Sequence, residues 1–64
     1  MKVFVALVRS NETGFDEPVV CSPSEDYVKK ELRAFCEFNF DSQNWDVNSA
    51  RVEPVWYKDK EGAK

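Results

Sequence analysis

A run of six apolar residues near the start of the chain, from Val3 to Val8, constrains the fold more than any other feature. Valine and phenylalanine, which favour β-structure, make up four of the six. Side chains of a strand point alternately to two faces, so an uninterrupted apolar run indicates a strand with a neighbour on each side. The run therefore predicts the central strand of a small sheet.

A polar loop and a second, shorter strand come next. The segment from Ser10 to Gly14 contains turn-forming residues, and Gly14 can take a positive φ. Pro18 then opens a strand from Val19 to Cys21. Because proline cannot donate a hydrogen bond to a ladder, we expect this strand to lie at an edge of the sheet.

A helix start is predicted at Ser22-Pro23-Ser24-Glu25, which has the form of a capping box with Ser22 as N-cap. The helix should fade near Asn39, and its core-facing stripe consists of Val28, Leu32, Phe35 and Cys36. Three further residues flank that stripe and are expected to pack under the sheet edge: Tyr27, Ala34 and Phe38.

The segment from Trp45 to Tyr57 alternates well enough to predict a third strand. One face would carry Ala50, Val52, Pro54 and Trp56, and the other Val47, Ser49, Arg51, Glu53 and Val55. A slip or bulge is expected, because Trp45 falls on the second face while Trp56 falls on the first. Residues 58–64 form a charged tail without an apolar anchor, which we expect to be mobile.

The order strand, strand, helix, strand with short connections predicts an α+β fold in residues 1–57. We expect a three-stranded antiparallel sheet with the first strand central and the helix packed on one face. Either Phe4, Ala6 and Val8 or Val3, Val5 and Leu7 must then face away from the helix. That uncovered face could contact a partner or a second copy, or be shielded by Trp45, Trp56 or long charged side chains. We expect a monomer.

The charged residues are unevenly placed. The net charge of −3 comes from 12 acidic and 9 basic residues, and the segment between Ser10 and Val28 contains acids but no base. Those acids are Glu12, Asp16, Glu17, Glu25 and Asp26. Such a segment repels phosphate, which disfavours direct nucleic-acid binding and favours a basic protein groove, including one that normally holds nucleic acid. A solvated acidic face that aids solubility is the alternative.

The two cysteines predict free thiols rather than a disulfide. A helix between Cys21 and Cys36 would separate them by about 20 Å, well beyond the ~7 Å Cα limit for a bridge. Free thiols suit a reducing cytosol. The apolar run after Lys2 is too short for a signal peptide or a membrane span, so we expect a cytoplasmic protein that does not contact a membrane.

Residues that carry catalysis are scarce. The chain has no histidine, too few cysteines for a zinc site without carboxylates, and no glycine-rich phosphate loop. A chain of 64 residues buries only about 60% of its unfolded surface, which leaves little room for a deep cleft. We therefore expect no catalytic residues, no metal and no cofactor.

Two parts of the sequence resemble a known family. The first is Phe4-x-Ala6-x-Val8-x-Ser10-x-Glu12-x-x-Phe15-x-x-Pro18-Val19, and the second combines Trp45-Asp46-Val47 with Arg51-Val52-x-Pro54. Without a gap in the first part, and with two extra residues inside the second, the pattern resembles the small early protein with which podophages inhibit bacterial RNA polymerase. The resemblance implies a fold of three antiparallel strands and one helix. It also implies binding to the jaw of the polymerase β′ subunit in the downstream DNA channel, where the family acts together with the acidic N-terminal region of the σ factor.

The resemblance assigns roles to particular residues. Arg51 matches an arginine essential for polymerase binding, and Phe15 matches a loop phenylalanine that contributes to it. Glu25 and Asp26 match part of an acidic row on the helix that faces the channel, although Lys29 interrupts the row here.

Two departures from the family pattern invert charge. Arg9 replaces a family acid, and Glu53 replaces a second family arginine. If the first and third strands are neighbours, Arg9 and Glu53 could form a swapped pair that keeps local complementarity.

The leading hypothesis is a phage-encoded, non-enzymatic inhibitor of bacterial RNA polymerase in the host cytoplasm. Its partner-binding residues would be Arg51, Phe15, Arg9, Glu53 and Glu12, and its acidic surface Asp16, Glu17, Glu25 and Asp26. The alternative is an acidic phage adaptor or inhibitor of the same fold that acts on another host or defence protein. Plainer interpretations stay open: Arg51 as a solvated cation, Phe15 as a cap of the hairpin against the helix, and the acids as helix cap and solubility.

Overall fold

The computed structural model describes residues 1–56 and contains three strands and one helix in the predicted order. The elements are β1 (Lys2–Ser10), β2 (Asp16–Ser22), α1 (Glu25–Phe38) and β3 (Trp45–Trp56). The sheet is antiparallel with the order β2-β1-β3. This confirms the α+β fold with β1 in the centre. Tyr57 and the predicted mobile tail, residues 58–64, lie outside the described residues.

The core lies between β1 and α1. Ala6 and Val8 of β1 and Val28 of α1 are fully buried, and Leu32 is nearly so. Partly buried side chains surround them: Phe4, Val19, Val20, Phe35, Cys36, Trp45, Ala50 and Val52. The predicted helical stripe is thus confirmed, and the helix covers the even-numbered side chains of β1.

The helix begins later than predicted, with Ser24 rather than Ser22 as its N-cap. Ser24 has extended backbone angles, and its Oγ accepts a hydrogen bond from the Tyr27 N–H at 3.3 Å. Ser22 still pairs with Phe4 of β1, so its backbone belongs to the sheet and cannot begin a helix. Its Oγ instead accepts from the Ser24 N–H at 3.1 Å and shapes the connection. The helix ends at Phe38 with Asn39 as C-cap, as predicted.

Strand β2 is longer than predicted, because Pro18 lies inside it rather than at its start. The register shifts between Ala6 and Leu7 of β1, which face Val20 and Pro18, so Val19 is the extra residue of a bulge. An edge position with a bulge tolerates the proline, since its missing N–H removes no required ladder bond.

The expected irregularity in β3 is confirmed, and it changes the face of Trp45. Leu7 pairs with Arg51 and Arg9 with Asp46, so β3 advances five residues while β1 advances two. The surplus is odd, and because side chains alternate, it moves Trp45 to the side of the sheet that holds Ala50 and Val52. There the Trp45 ring meets the Phe35 ring edge-on, with centroids 5.2 Å apart.

The face of the sheet that α1 does not cover carries Val3, Val5 and Leu7. We call it the helix-free face. Val3 is buried there, whereas Val5 and Leu7 are half-buried. The predicted shielding by tryptophan is wrong, because Trp45 packs on the helix side and Trp56 is 72% exposed beside Lys2, whose Nζ lies 5.7 Å from its ring.

Both cysteines are free thiols, as expected. Cys21 faces Val5 across the β-ladder and is therefore on the helix-free face, whereas Cys36 of α1 packs against the core. The sheet separates them, and burial raises the pKa of the Cys36 thiol. Within residues 1–56, no helix has the length and apolar character that a membrane crossing requires.

Candidate protein-binding site

The loop between β1 and β2 is held by its own hydrogen bonds and exposes Phe15. The Ser10 N–H donates to the Phe15 carbonyl at 2.9 Å, and the Gly14 N–H donates to the Ser10 carbonyl at 2.8 Å. Gly14 has a φ of 78°, which glycine adopts without strain. Phe15 is 73% exposed and takes no part in the core, so the interpretation that it caps the hairpin against the helix is wrong.

A second set of bonds ties this loop to the segment before β3. The Asn11 N–H donates to the Asn44 carbonyl at 2.8 Å, and Asn11 Nδ2 donates to the Gln43 carbonyl at 3.0 Å. The buried Ser10 Oγ also accepts from the N–H groups of Glu12 and Thr13. The backbone that carries Phe15 is therefore anchored on both sides, which limits the entropy lost when the ring binds a partner.

Four charged side chains form a row beside this loop: Arg9, Asp16, Arg51 and Glu53. We call them the charged row. Arg51 Nη2 lies 2.9 Å from Asp16 Oδ2, and Arg51 Nε donates to Glu53 Oε2. Arg9 Nε lies 3.7 Å from Asp16 Oδ1. The row reads plus, minus, plus, minus, with Asp16 between the two guanidinium groups.

The strand register explains why these residues meet. Arg9 faces Asp16 across one ladder, and Leu7 faces Pro18 on one side and Arg51 on the other. Leu7 and Arg9 are odd-numbered residues of β1, so their partners lie on the helix-free face. The expected direct pair between Arg9 and Glu53 is wrong, because Arg9 faces Asp46 of β3, whereas Glu53 faces Val5 of β1. The inverted charges are balanced through Asp16 and Arg51 instead.

Asp16 is the junction of the row. The hydrogen bond from Arg51 lowers the pKa of the Asp16 carboxyl, burial opposes that change, and the charges of Arg51 and Arg9 add to the lowering. Asp16 Oδ1 is buried without a hydrogen bond, so the nearby Arg9 is its electrostatic compensation. Reciprocally, the hydrogen bonds to Asp16 and then Glu53 raise the pKa of Arg51.

The bulge in β3 also holds the backbone of Arg9. Ser49 Oγ accepts from the Arg9 N–H at 2.8 Å and donates to the Asp46 carbonyl at 2.7 Å. Asp46 Oδ1 in turn accepts from the Asn48 N–H at 3.2 Å. Ser49 in this bulge therefore holds the β1 backbone at Arg9.

The predicted acidic residues do not form one surface. Glu12 and Glu17 line the same hollow as Ser10 and Thr13, and Thr13 Oγ1 donates to Glu17 Oε2 at 2.9 Å. Glu17 faces Val8 and so lies on the opposite side of the sheet from Asp16. The hollow and the exposed Phe15 are both at the loop end of the sheet.

The helix presents mixed charge. Glu25 and Asp26 lie in its first turn, where the helix dipole favours acids, and Glu25 pairs with Lys29 at 3.5 Å. On the outward surface next to them, Asp26 lines one shallow hollow together with three cations, Lys29, Lys30 and Arg33. A continuous acidic row on the helix is therefore absent from residues 25–38.

The sequence predicts Asp16 only as part of the acidic surface and does not reveal its central position in the charged row. Its contact with Arg51 depends on the register of both ladders, for which the sequence carries no direct signal. No cluster of three or more His, Cys, Asp or Glu side chains in the described part of the chain could hold a metal ion. Comparisons of the chain with protein-family models, curated proteins and solved structures found no match. The family resemblance therefore stays a hypothesis from the sequence.

Proposed function

We propose that this protein is a phage-encoded, non-enzymatic inhibitor of bacterial RNA polymerase that binds the jaw of the β′ subunit in the downstream DNA channel. One observation carries the proposal: the Arg51 guanidinium lies 2.9 Å from the carboxylate of Asp16, the residue next to the exposed Phe15. Arg51 thus binds the residue that follows Phe15 in the chain, and the sequence pattern assigns both Arg51 and Phe15 to polymerase binding.

The chemistry of this region suits a protein contact. Arginine and aromatic side chains dominate binding hot spots. A side chain that is already held in place loses less conformational entropy on binding, so the affinity is higher. Nε and Nη2 of Arg51 bind Glu53 and Asp16, while Nη1 makes no hydrogen bond with a described residue and can donate to a carboxylate or carbonyl of a partner. The half-buried Leu7 adds apolar surface beside it.

Inhibition requires only that the protein occupy the path of DNA. The net charge of −3, with Glu12 and Glu17 beside the Phe15 loop, would repel a phosphate backbone that approached the bound protein. Under this proposal the acids at the loop end of the sheet, rather than those on the helix, provide the charge that excludes DNA.

In vitro transcription with purified bacterial RNA polymerase holoenzyme tests the proposal. We expect micromolar protein to abolish promoter-dependent transcription when it is added before the DNA, and to act less when it is added after the open complex has formed. Core polymerase with and without σ factor would show whether σ is needed for binding. The absence of both inhibition and binding at micromolar concentration would contradict the proposal.

A second candidate is that the same surface acts on another host or defence protein. It is favoured by the charged row, in which Glu53 neutralises Arg51 where the family pattern has a further arginine. Affinity capture from a bacterial lysate with the wild-type chain and with Arg51→Ala separates the two candidates. Polymerase subunits should be the main proteins lost from the Arg51→Ala capture only if the first candidate is right.

A further inference from the structure

A groove separates α1 from β2 on the helix side of the sheet. It has a volume of about 490 Å³ and is open to solvent. Val19 and Val20 of β2 contribute to its lining, and α1 contributes Tyr27, Glu31, Ala34 and Phe38. The groove is on the opposite side of the sheet from the charged row, so a ligand could occupy it whether or not the proposed function is right.

Apart from Phe35, which also packs against the core, the helical lining is a second stripe of side chains outside the core. Tyr27, Glu31, Ala34 and Phe38 are spaced four, three and four residues apart, which aligns them along one face of a helix. Phe38 is 90% exposed and Tyr27 is 50% exposed. The expectation that Tyr27 and Phe38 pack under the sheet edge is thus wrong, and both rings are available to a partner.

The other wall of the groove is an edge strand. β2 pairs with β1 on one side only, and no strand of residues 1–56 pairs with its other side. Alternate residues of such a strand direct N–H and C=O groups outward, where they can pair with an added strand. An apolar groove beside an open edge and a helix is the arrangement in which peptide-binding domains add an extended segment to a sheet.

Glu31 gives the groove a charge preference. It is the charged residue among the side chains that line the groove, and it is half-buried. Among the described residues it makes no hydrogen bond or ion pair, unlike Glu25 one and a half turns earlier, which pairs with Lys29. A carboxylate between two aromatic rings favours an occupant that places a lysine or arginine there.

The length of the helical wall sets the length of the segment that the groove can hold. From Tyr27 to Phe38 the helix rises about 16 Å, since each residue contributes ~1.5 Å. An extended segment covers the same distance with about five residues at ~3.3 Å each. Alternate side chains of such a segment would point into the groove, so one occupant can present two apolar side chains and one cation between them.

We propose that the groove binds an extended segment of a partner protein, about five residues long, which pairs with β2 as a fourth strand. Its inward side chains are apolar, with a lysine or arginine opposite Glu31. The rings of Tyr27 and Phe38 cover the two ends of the segment. Residues 20–22 of β2 supply the backbone hydrogen bonds, because Pro18 has no N–H to donate and Val19 lies in the bulge.

The probe for this proposal is a displayed library of random nine-residue peptides, selected against the full chain. We expect enriched peptides to alternate apolar with other residues and to carry lysine or arginine at one inward position. The same selection against Glu31→Lys should enrich aspartate or glutamate at that position. No enrichment, or enrichment without this exchange of charge, would overturn the proposal.

The best enriched peptide, made synthetically, then locates the site. Titration into isotope-labelled protein should shift and protect the amides of β2 and shift those of α1. Phe38→Ser should weaken the peptide at least tenfold, whereas Phe40→Ser, which alters another exposed phenylalanine outside the groove lining, should leave its affinity within twofold. A version of the peptide with alternate N-methylated amides should also lose at least tenfold, because it cannot complete the ladder. Shifts on the helix-free face, or equal binding by the Phe38 and Phe40 variants, would contradict the proposal.

Discussion

At the scale of single residues, Asp16 is the side chain on which the helix-free face depends most. One of its oxygens accepts from Arg51 and the other lies near Arg9, so a single carboxylate links all three strands. Paired carboxylates of this kind make folding sensitive to acid, because protonation removes the attraction. A mutation of Asp16 therefore tests how much this carboxylate contributes to the stability of the helix-free face.

Asp16→Asn should change how stability depends on pH. The folded-state pKa of Asp16 lies below the ordinary value of 3.8, so its contribution is fully present above that value and is lost as the pH falls through the folded-state pKa. Thermal unfolding between pH 2 and pH 6 should show a smaller acid decline of Tm in the variant than in the wild type. Asp41→Asn, at an exposed position without a described partner, is the control and should keep the wild-type slope. An unchanged slope in Asp16→Asn would show that the carboxylate is not coupled to folding.

At the scale of elements, the sequence predicts the strands and the helix whose formation depends on residues close together in the chain. The apolar run of β1 and the stripe of α1 identify both elements, because burial requires those periodicities wherever the elements pack. The local motif predicts the N-cap two residues too early, because Ser22 is held by Phe4, a strand partner 18 positions away that the motif does not contain. The charged row escapes prediction for the same reason, since the Val19 bulge in β2 places Asp16 opposite Arg9, and the ladder between β1 and β3 places Arg51 opposite Leu7.

The two serines before α1 offer a direct test of the helix start. Ser24→Ala should lower the free energy of unfolding by about 1 kcal/mol, because the Tyr27 N–H loses its acceptor at the helix terminus. Ser22→Ala removes only an acceptor in an exposed turn and should cost less. Urea unfolding of the two variants at one pH measures the difference. A larger loss in Ser22→Ala would restore Ser22 as the cap.

At the scale of the whole molecule, one thin sheet separates two different surfaces. The helix side holds the core together with the apolar groove, and the helix-free face holds the charged row together with Val5 and Leu7. A pattern in the sequence could identify Arg51 and Phe15 as candidates, but the contact of Arg51 with Asp16, next to Phe15, depends on the assembled strands. The sequence does not predict the groove, because it places Tyr27, Ala34 and Phe38 beside the core stripe and under the sheet edge, whereas the structure leaves them exposed.

The helix-free face should not drive self-association. A dimer through that face would bury the charged row, and removing four charged groups from water costs more than the modest apolar area of Val5 and Leu7 returns. Sedimentation equilibrium of the wild-type chain at up to about millimolar concentration should give the monomer mass. A concentration-dependent dimer that Leu7→Lys disrupts would instead support association through this face.

The central claim, that Arg51 and Phe15 anchor the protein on bacterial RNA polymerase, is tested most directly by equilibrium binding of the labelled chain to purified core enzyme and holoenzyme. Arg51→Ala and Phe15→Ala should each weaken binding on the order of tenfold or more, as expected for hot-spot residues. Arg33→Ala, which removes the same charge from the exposed surface of α1, should bind like the wild type. Equal affinities for Arg51→Ala and Arg33→Ala, or no binding by the wild-type chain, would contradict the claim.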